Sequence, residues 1–171
     1  MGNANLKNFE GKVRGYFKEY ADEILALYQP STDEEAKAYW ARIYGAVFFD
    51  YPHYCLDRLA AENRIPAYEY EFTKRNGRLG AWHSGELVYF YNNLPKDSKL
   101  FTETDYALEQ TMVRYLKNYL HTGDPNGEDL PVWESATSGV RLMEFGETVQ
   151  MIDERSLALF AIMDRMSGWD K

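Results

Sequence analysis

A histidine set between small, turn-forming residues is the first place in this chain where chemistry could be done. In Gly80-Ala81-Trp82-His83-Ser84-Gly85-Glu86-Leu87 the imidazole follows an alternating pattern and precedes an apolar run. Gly80 and Gly85 permit sharp backbone turns, and Trp82 supplies a large wall beside the ring. A general base on a loop at the end of a strand needs this kind of placement, because proton transfer requires an exposed nitrogen. The same placement also suits a histidine that is merely solvated. Ser84 adjoins His83, but neighbouring side chains in a loop rarely meet at hydrogen-bonding distance. Glu86 reads as a carboxylate at a helix N-terminus, where unpaired N–H groups and the dipole favour it, and so as a residue that shapes the loop.

Other reactive types are isolated. His53, His83 and His121 lie far apart with no partner at metal-ligand spacing, so no metal or other cofactor is expected. Asp124 and Asn126 fall short of a calcium loop. His121, at a helix C-terminus, is accounted for by the dipole. Cys55 lies among apolar helical residues and reads as packing. As the sole cysteine it cannot form an intrachain disulfide, which points to a reducing, cytoplasmic setting. No glycine loop of the phosphate-binding kind occurs.

The elements around His83 follow from periodicity. Val13, Phe17, Tyr20, Ile24 and Leu27 predict an amphipathic helix ended by Gln29-Pro30. Thr32 and Glu35 predict a capping box, after which Ala36, Tyr39, Trp40, Ile43, Tyr44 and Val47 mark one helical face. Pro52 breaks or restarts that helix, and Leu56, Leu59 and Ala60 extend its stripe. Residues 67–72 alternate with period two and predict a strand, with an Asn76-Gly77 turn before the histidine loop. Leu87–Tyr91 predicts a short helix. From Thr104, the residues Leu108, Met112, Val113, Leu116, Tyr119 and Leu120 predict another, closed by Gly123-Asp124-Pro125-Asn126-Gly127. Leu142–Phe145 and Thr148–Ile152 predict a hairpin, and Asp153 a cap for a last helix through Leu157 and Phe160.

At 171 residues the chain is expected to form a single domain, residues 1–171. A net charge of −8 with scattered Lys and Arg excludes a nucleic-acid backbone as partner. No window reaches membrane-spanning length, and the start has no apolar core of signal-peptide type. Met1-Gly2 is not a myristoylation signal, because Leu6 stands where Ser or Thr is wanted. The many aromatics read as packing rather than as a stacking surface.

Three motifs taken together carry a family resemblance. They are the His83 segment, Thr122-Gly123-Asp124-Pro125-Asn126 with Leu130-Pro131-Val132-Trp133 behind it, and Leu142-Met143-Glu144-Phe145-Gly146. In order and spacing, from about Gly11 to Arg155, the chain resembles the C-terminal part of type B carboxylesterases, the group of cholinesterases and para-nitrobenzyl esterases. One departure is Ser84, where that family usually has glycine. The resemblance implies an α/β fold: the C-terminal fragment of an α/β-hydrolase, helix-rich, with about three strands from one sheet edge. It implies a serine esterase acting on a small-molecule carboxylic ester, with His83 as the triad histidine.

The rest of the triad is not in the sequence. None of the serines lies in a G-x-S-x-G elbow, and neither the acid nor an oxyanion-hole segment is found. The chain is therefore expected to be inactive alone. Its 67–72 strand lacks a neighbour, so a homo-oligomer or a complementary chain is expected at that edge. The alternative is a non-catalytic hydrolase scaffold that self-associates.

Overall fold

The computed structural model describes residues 4–75, 80–136 and 141–169. Two compact units emerge. The described residues up to Leu56 and from Arg155 onward form one, and Asp57–Glu154 forms the other.

The first unit is helical. Helix α1 (Phe9–Phe17) is followed by a 3₁₀ turn at Lys18–Tyr20 and by α2 (Ala21–Leu27). Sequence periodicity predicts one helix here, because Val13, Phe17, Ala21 and Ile24 are spaced for a single buried face. The break comes at Lys18, whose φ is +50°, and nothing in the sequence marks it. Leu27 falls beyond the buried face and is exposed.

Helix α3 (Asp33–Gly45) begins at Thr32, whose hydroxyl accepts the Glu35 N–H at 3.1 Å. The Glu35 carboxylate does not return to Thr32. It accepts from the N–H and hydroxyl of Ser31 at 2.7 Å each, and these bonds hold it below the usual carboxylate range. A π-helical turn at Ala46–Asp50 joins α3 to α4 (Tyr51–Glu62). Pro52 explains it: the residue has no N–H, and its ring would strike the carbonyl four residues back, so the helix widens before it. Burial raises the Asp50 carboxyl in this turn, opposed by Arg42 and His53.

Helix α7 (Leu157–Ser167) starts from Ser156, three residues beyond the expected Asp153 cap. Phe9, Val13, Ile24, Trp40, Ile43 and Phe160 make up much of this core. Cys55 packs half-buried against it. Its polar ties are Tyr51 Oη to Asp164 Oδ1 at 2.8 Å and Arg42 Nη2 to Ser156 Oγ at 2.8 Å.

The second unit holds the sheet. Strand β1 (Tyr70–Phe72) runs parallel to β2 (Arg141–Phe145), which pairs antiparallel with β3 (Val149–Asp153). The predicted hairpin is thus present, in the register Phe145 to Val149. The 67–72 strand is realised only over its second half. Its first half is tied by main-chain bonds outside the strand run: the Ala67 carbonyl accepts from the Ala136 N–H of a loop, and the Glu69 carbonyl from the Met143 N–H of β2, where the ladder begins. The expected Asn76-Gly77 turn lies outside the described residues.

Helices α5 (Leu87–Phe90) and α6 (Glu103–Thr122) pack together in this unit. The α6 stripe Asp105, Leu108, Glu109, Met112, Tyr115 is buried, as its 3-4 spacing requires. Tyr115, Trp133 and Phe145 meet edge to face, with centroids 5.3–5.7 Å apart. Such pairs add roughly 0.5–1.5 kcal/mol each beyond area burial.

Candidate functional site

The histidine loop is built as a tight turn. The Gly85 N–H donates to the Trp82 carbonyl at 2.9 Å, which places His83 and Ser84 at the two central positions. Ser84 has a φ of +68°, a left-handed conformation that glycine adopts without strain and serine does not. The departure noted in the sequence therefore falls where the backbone most favours glycine. Gly80 is likewise left-handed, with a φ of +65°. Gly85 is required for a different reason: a Cβ there would sit 2.9 Å from the Trp82 carbonyl oxygen and 3.2 Å from the indole. Trp82 thus folds over Gly85. His83 itself is exposed.

Glu86 occupies the N-cap position of α5, where its carbonyl accepts from Tyr89 and Phe90. Burial, with Glu86 and Tyr91 nearby, pushes the Tyr70 phenol up to about 12.

On the strand side, the exit from β1 is pinned. The N–H groups of Thr73 and Lys74 both donate to the Phe145 carbonyl, at 2.9 and 3.2 Å. Lys74, which with Arg75 and Arg78 makes the one small group of positive residues in the sequence, is 4% exposed. Its ammonium bonds Glu147 at 2.8 Å and Thr104 Oγ1 at 3.1 Å, with Asp105 at 3.8 Å. Asp105 is buried, which by itself would raise its pKa. Hydrogen bonds from the Thr102 hydroxyl and N–H and from Tyr89, together with the Lys74 charge, outweigh that and hold it below the usual range. The cluster joins the β1 exit, the α6 N-terminus and the β2–β3 turn immediately before the histidine loop. Only a tertiary structure reveals it, since its members are spread along the sequence from Lys74 to Glu147.

The second motif is a structural clamp. Asn126 Oδ1 accepts the Trp133 N–H at 2.7 Å, and Asn126 Nδ2 donates to the Trp133 carbonyl at 3.0 Å and to Asp124 Oδ1 at 2.8 Å. Asp124 also accepts the Asn126 N–H at 2.9 Å, and these Asn126 bonds hold its carboxyl low. Asn118 Nδ2 donates to the carbonyls of Pro125 and Asn126. Trp133 Nε1 then donates to the Glu69 carbonyl, at the entrance to β1. The residues of T-G-D-P-N and L-P-x-W therefore hold the strand that leads to His83.

His53 and His121 are both exposed, and among the described residues no group of three or more His, Cys, Asp and Glu could hold a metal ion. No helix of the described residues is long and apolar enough to cross a membrane.

Comparison with known proteins agrees with this geometry. Residues 3–159 match the sequence model of the carboxylesterase family. Carboxylesterase 5A of the cat, Felis catus, is 28% identical over 138 residues, covering 73% of this chain and 25% of that protein. Its counterpart in the mouse, Mus musculus, is 34% identical over 104 residues, 53% of this chain and 18% of that one. A solved carboxylesterase from Geobacillus stearothermophilus superposes with a TM-score of 0.71 at 20% identity, over 89% of this chain and 33% of that one. The chain thus spans about a quarter of the length of the cat relative and a third of the solved structure. Its helix-rich layers and mixed three-stranded sheet are part of an α/β-hydrolase fold, and the chain belongs to the carboxylesterase family.

Proposed function

We propose that this chain supplies the triad histidine of a serine carboxylesterase, with His83 as the general base and acid. The nucleophilic serine, the acid and the oxyanion hole come from a part of the esterase fold outside this sequence. His83 takes the proton from the serine hydroxyl as its oxygen attacks the ester carbonyl carbon. It returns that proton to the departing alcohol, and a water repeats the exchange to release the acid. The substrate is a small carboxylic ester of the para-nitrobenzyl-esterase type, no cofactor takes part, and the reducing setting implied by the lone Cys55 is the cytoplasm.

One observation carries this reading: an exposed imidazole on a glycine-bounded turn beyond the C-terminal end of a parallel strand, where α/β folds put their ligands. Alone, the chain does not turn over. Loss of the nucleophile costs serine hydrolases on the order of a million-fold in kcat. The test is hydrolysis of a short-chain aryl ester by the chain with and without the N-terminal portion of a carboxylesterase, beside the His83→Ala variant. A second reading, a self-associating scaffold, is favoured by the apolar groups on the surface, including Leu120 at 72% exposure. Activity that never depends on His83 would leave that reading standing.

A further inference from the structure

Both ends of the histidine loop rest on one carboxylate oxygen. Before the loop, the Lys74 ammonium lies 3.8 Å from Asp105 Oδ1. After it, the Tyr89 hydroxyl donates to the same oxygen at 2.7 Å. All three residues are buried. The carboxylate is itself held, because Asp105 Oδ2 accepts from the N–H and the hydroxyl of Thr102 at 2.7 Å each. A hydrogen bond to a buried, ionised acceptor is about twice as strong as a neutral one, and it is directional.

From Tyr89 back to His83 the main chain runs through three overlapping turns. The Tyr89 N–H donates to the Glu86 carbonyl at 3.0 Å, Leu87 to Ser84 at 3.3 Å, and Gly85 to Trp82 at 2.9 Å. A tilt of α5 therefore moves the turn that carries the imidazole. Helix α5 is only four residues long and cannot hold its own orientation. The Tyr89 ring packs on Phe72 at the end of β1, with centroids 5.1 Å apart. That contact buries the ring, and the bond to Asp105 fixes where it points.

We infer that Asp105 is a positioning residue for His83, aiming the imidazole through Tyr89 while Lys74 holds the other end of the loop. The inference rests on the reading above that His83 is the triad histidine. A catalytic group displaced by about 1 Å can lose on the order of a hundred-fold in rate.

Asp105 also carries the charge facing Lys74, so the cleaner change is Tyr89→Phe, which removes only the hydroxyl. In the full chain, amide hydrogen exchange is expected to rise at Gly85, Leu87 and Tyr89 by about ten-fold more than at Met112 and Tyr115 of α6. In the chain completed by the N-terminal portion of a carboxylesterase, kcat for an aryl ester is expected to fall about ten-fold with KM unchanged. Tyr106→Phe, which loses a hydroxyl bonded to the Pro95 carbonyl outside the loop, is expected to do neither. An equal rise at all five amides would mark a general loss of stability and overturn the inference, as would no rise at all. Wild-type turnover with kcat intact in Tyr89→Phe would overturn it too, and leave the proposed activity standing. Loop-selective exchange without turnover in any assembly would keep the hold of Asp105 on the loop and defeat the proposed activity.

Discussion

The indole Nε1 of Trp133 donates a 2.9 Å hydrogen bond to the main-chain carbonyl of Glu69, and Asn126 grips the main chain of Trp133 on both sides. The strand that leads to the histidine loop is thereby fixed by a turn more than fifty residues further along the sequence. Asn126→Ala leaves the buried Trp133 without this support and should cost about 2–3 kcal/mol. Trp133→Phe, which removes the indole donor and leaves a small cavity among the packed rings, should cost about 2–4 kcal/mol. Urea denaturation checks both. An Asn126→Ala midpoint equal to that of the wild type would show that the motif does not clamp the strand.

The turn around His83 yields opposite expectations at adjacent positions. Ser84→Gly relieves a left-handed serine at the expense of extra freedom in the unfolded chain, and should stabilise by about 0.5–1 kcal/mol. Gly85→Ala forces a Cβ against the Trp82 backbone and should destabilise by about 1–3 kcal/mol. Thermal melting of the two variants reads both signs. If they move together, the turn is not built as described.

Acid should loosen the second unit through Asp105. Its folded pKa lies below the unfolded value of about 3.9, so its contribution is fully present above that pH. That contribution is lost as the pH falls through the lower folded value. Asp105→Asn removes the charge facing Lys74 and should destabilise at neutral pH by about 2–4 kcal/mol. The difference from wild type should then narrow below about pH 4. Urea midpoints from pH 7 to pH 3 test this, and a gap that stays constant across the range would rule it out.

What the sequence reveals about this molecule depends on how local the cause is. The α6 helix, the Thr32 cap, the Leu142–Ile152 hairpin and the turn at His83 each rest on residues within a few positions of one another, and all can be read from spacing. The face of α6 cannot: of the expected stripe only Leu108 and Met112 are buried, Tyr119 and Leu120 are exposed, and Asp105, Glu109 and Tyr115 complete the buried side. The break at Lys18 is invisible because Phe17, Ala21 and Ile24 keep the period of one helix across it. The late start of the 67–72 strand is hidden because the Ala67 carbonyl is satisfied by the Ala136 N–H of a distant loop instead of by a neighbouring strand. That Lys74 is buried between Glu147 and Asp105 has no local sign in the sequence, because its partners lie far along the chain. For the site, the proposed role of His83 comes from its glycine-rich context and the family resemblance, and the structure adds the turn that carries it. The residues that hold its strand are legible only as a motif, with no hint of what the motif does.

The central claim is that His83 does chemistry only when the esterase fold is completed. The most direct measurement is aryl-ester hydrolysis by the chain alone, by the chain with the N-terminal portion of a carboxylesterase, and by that assembly carrying His83→Ala. The account predicts turnover only in the wild-type assembly, with a loss of at least a thousand-fold in the His83→Ala assembly. Turnover by the isolated chain that vanishes with His83→Ala would contradict it, because the nucleophile would then lie within these 171 residues.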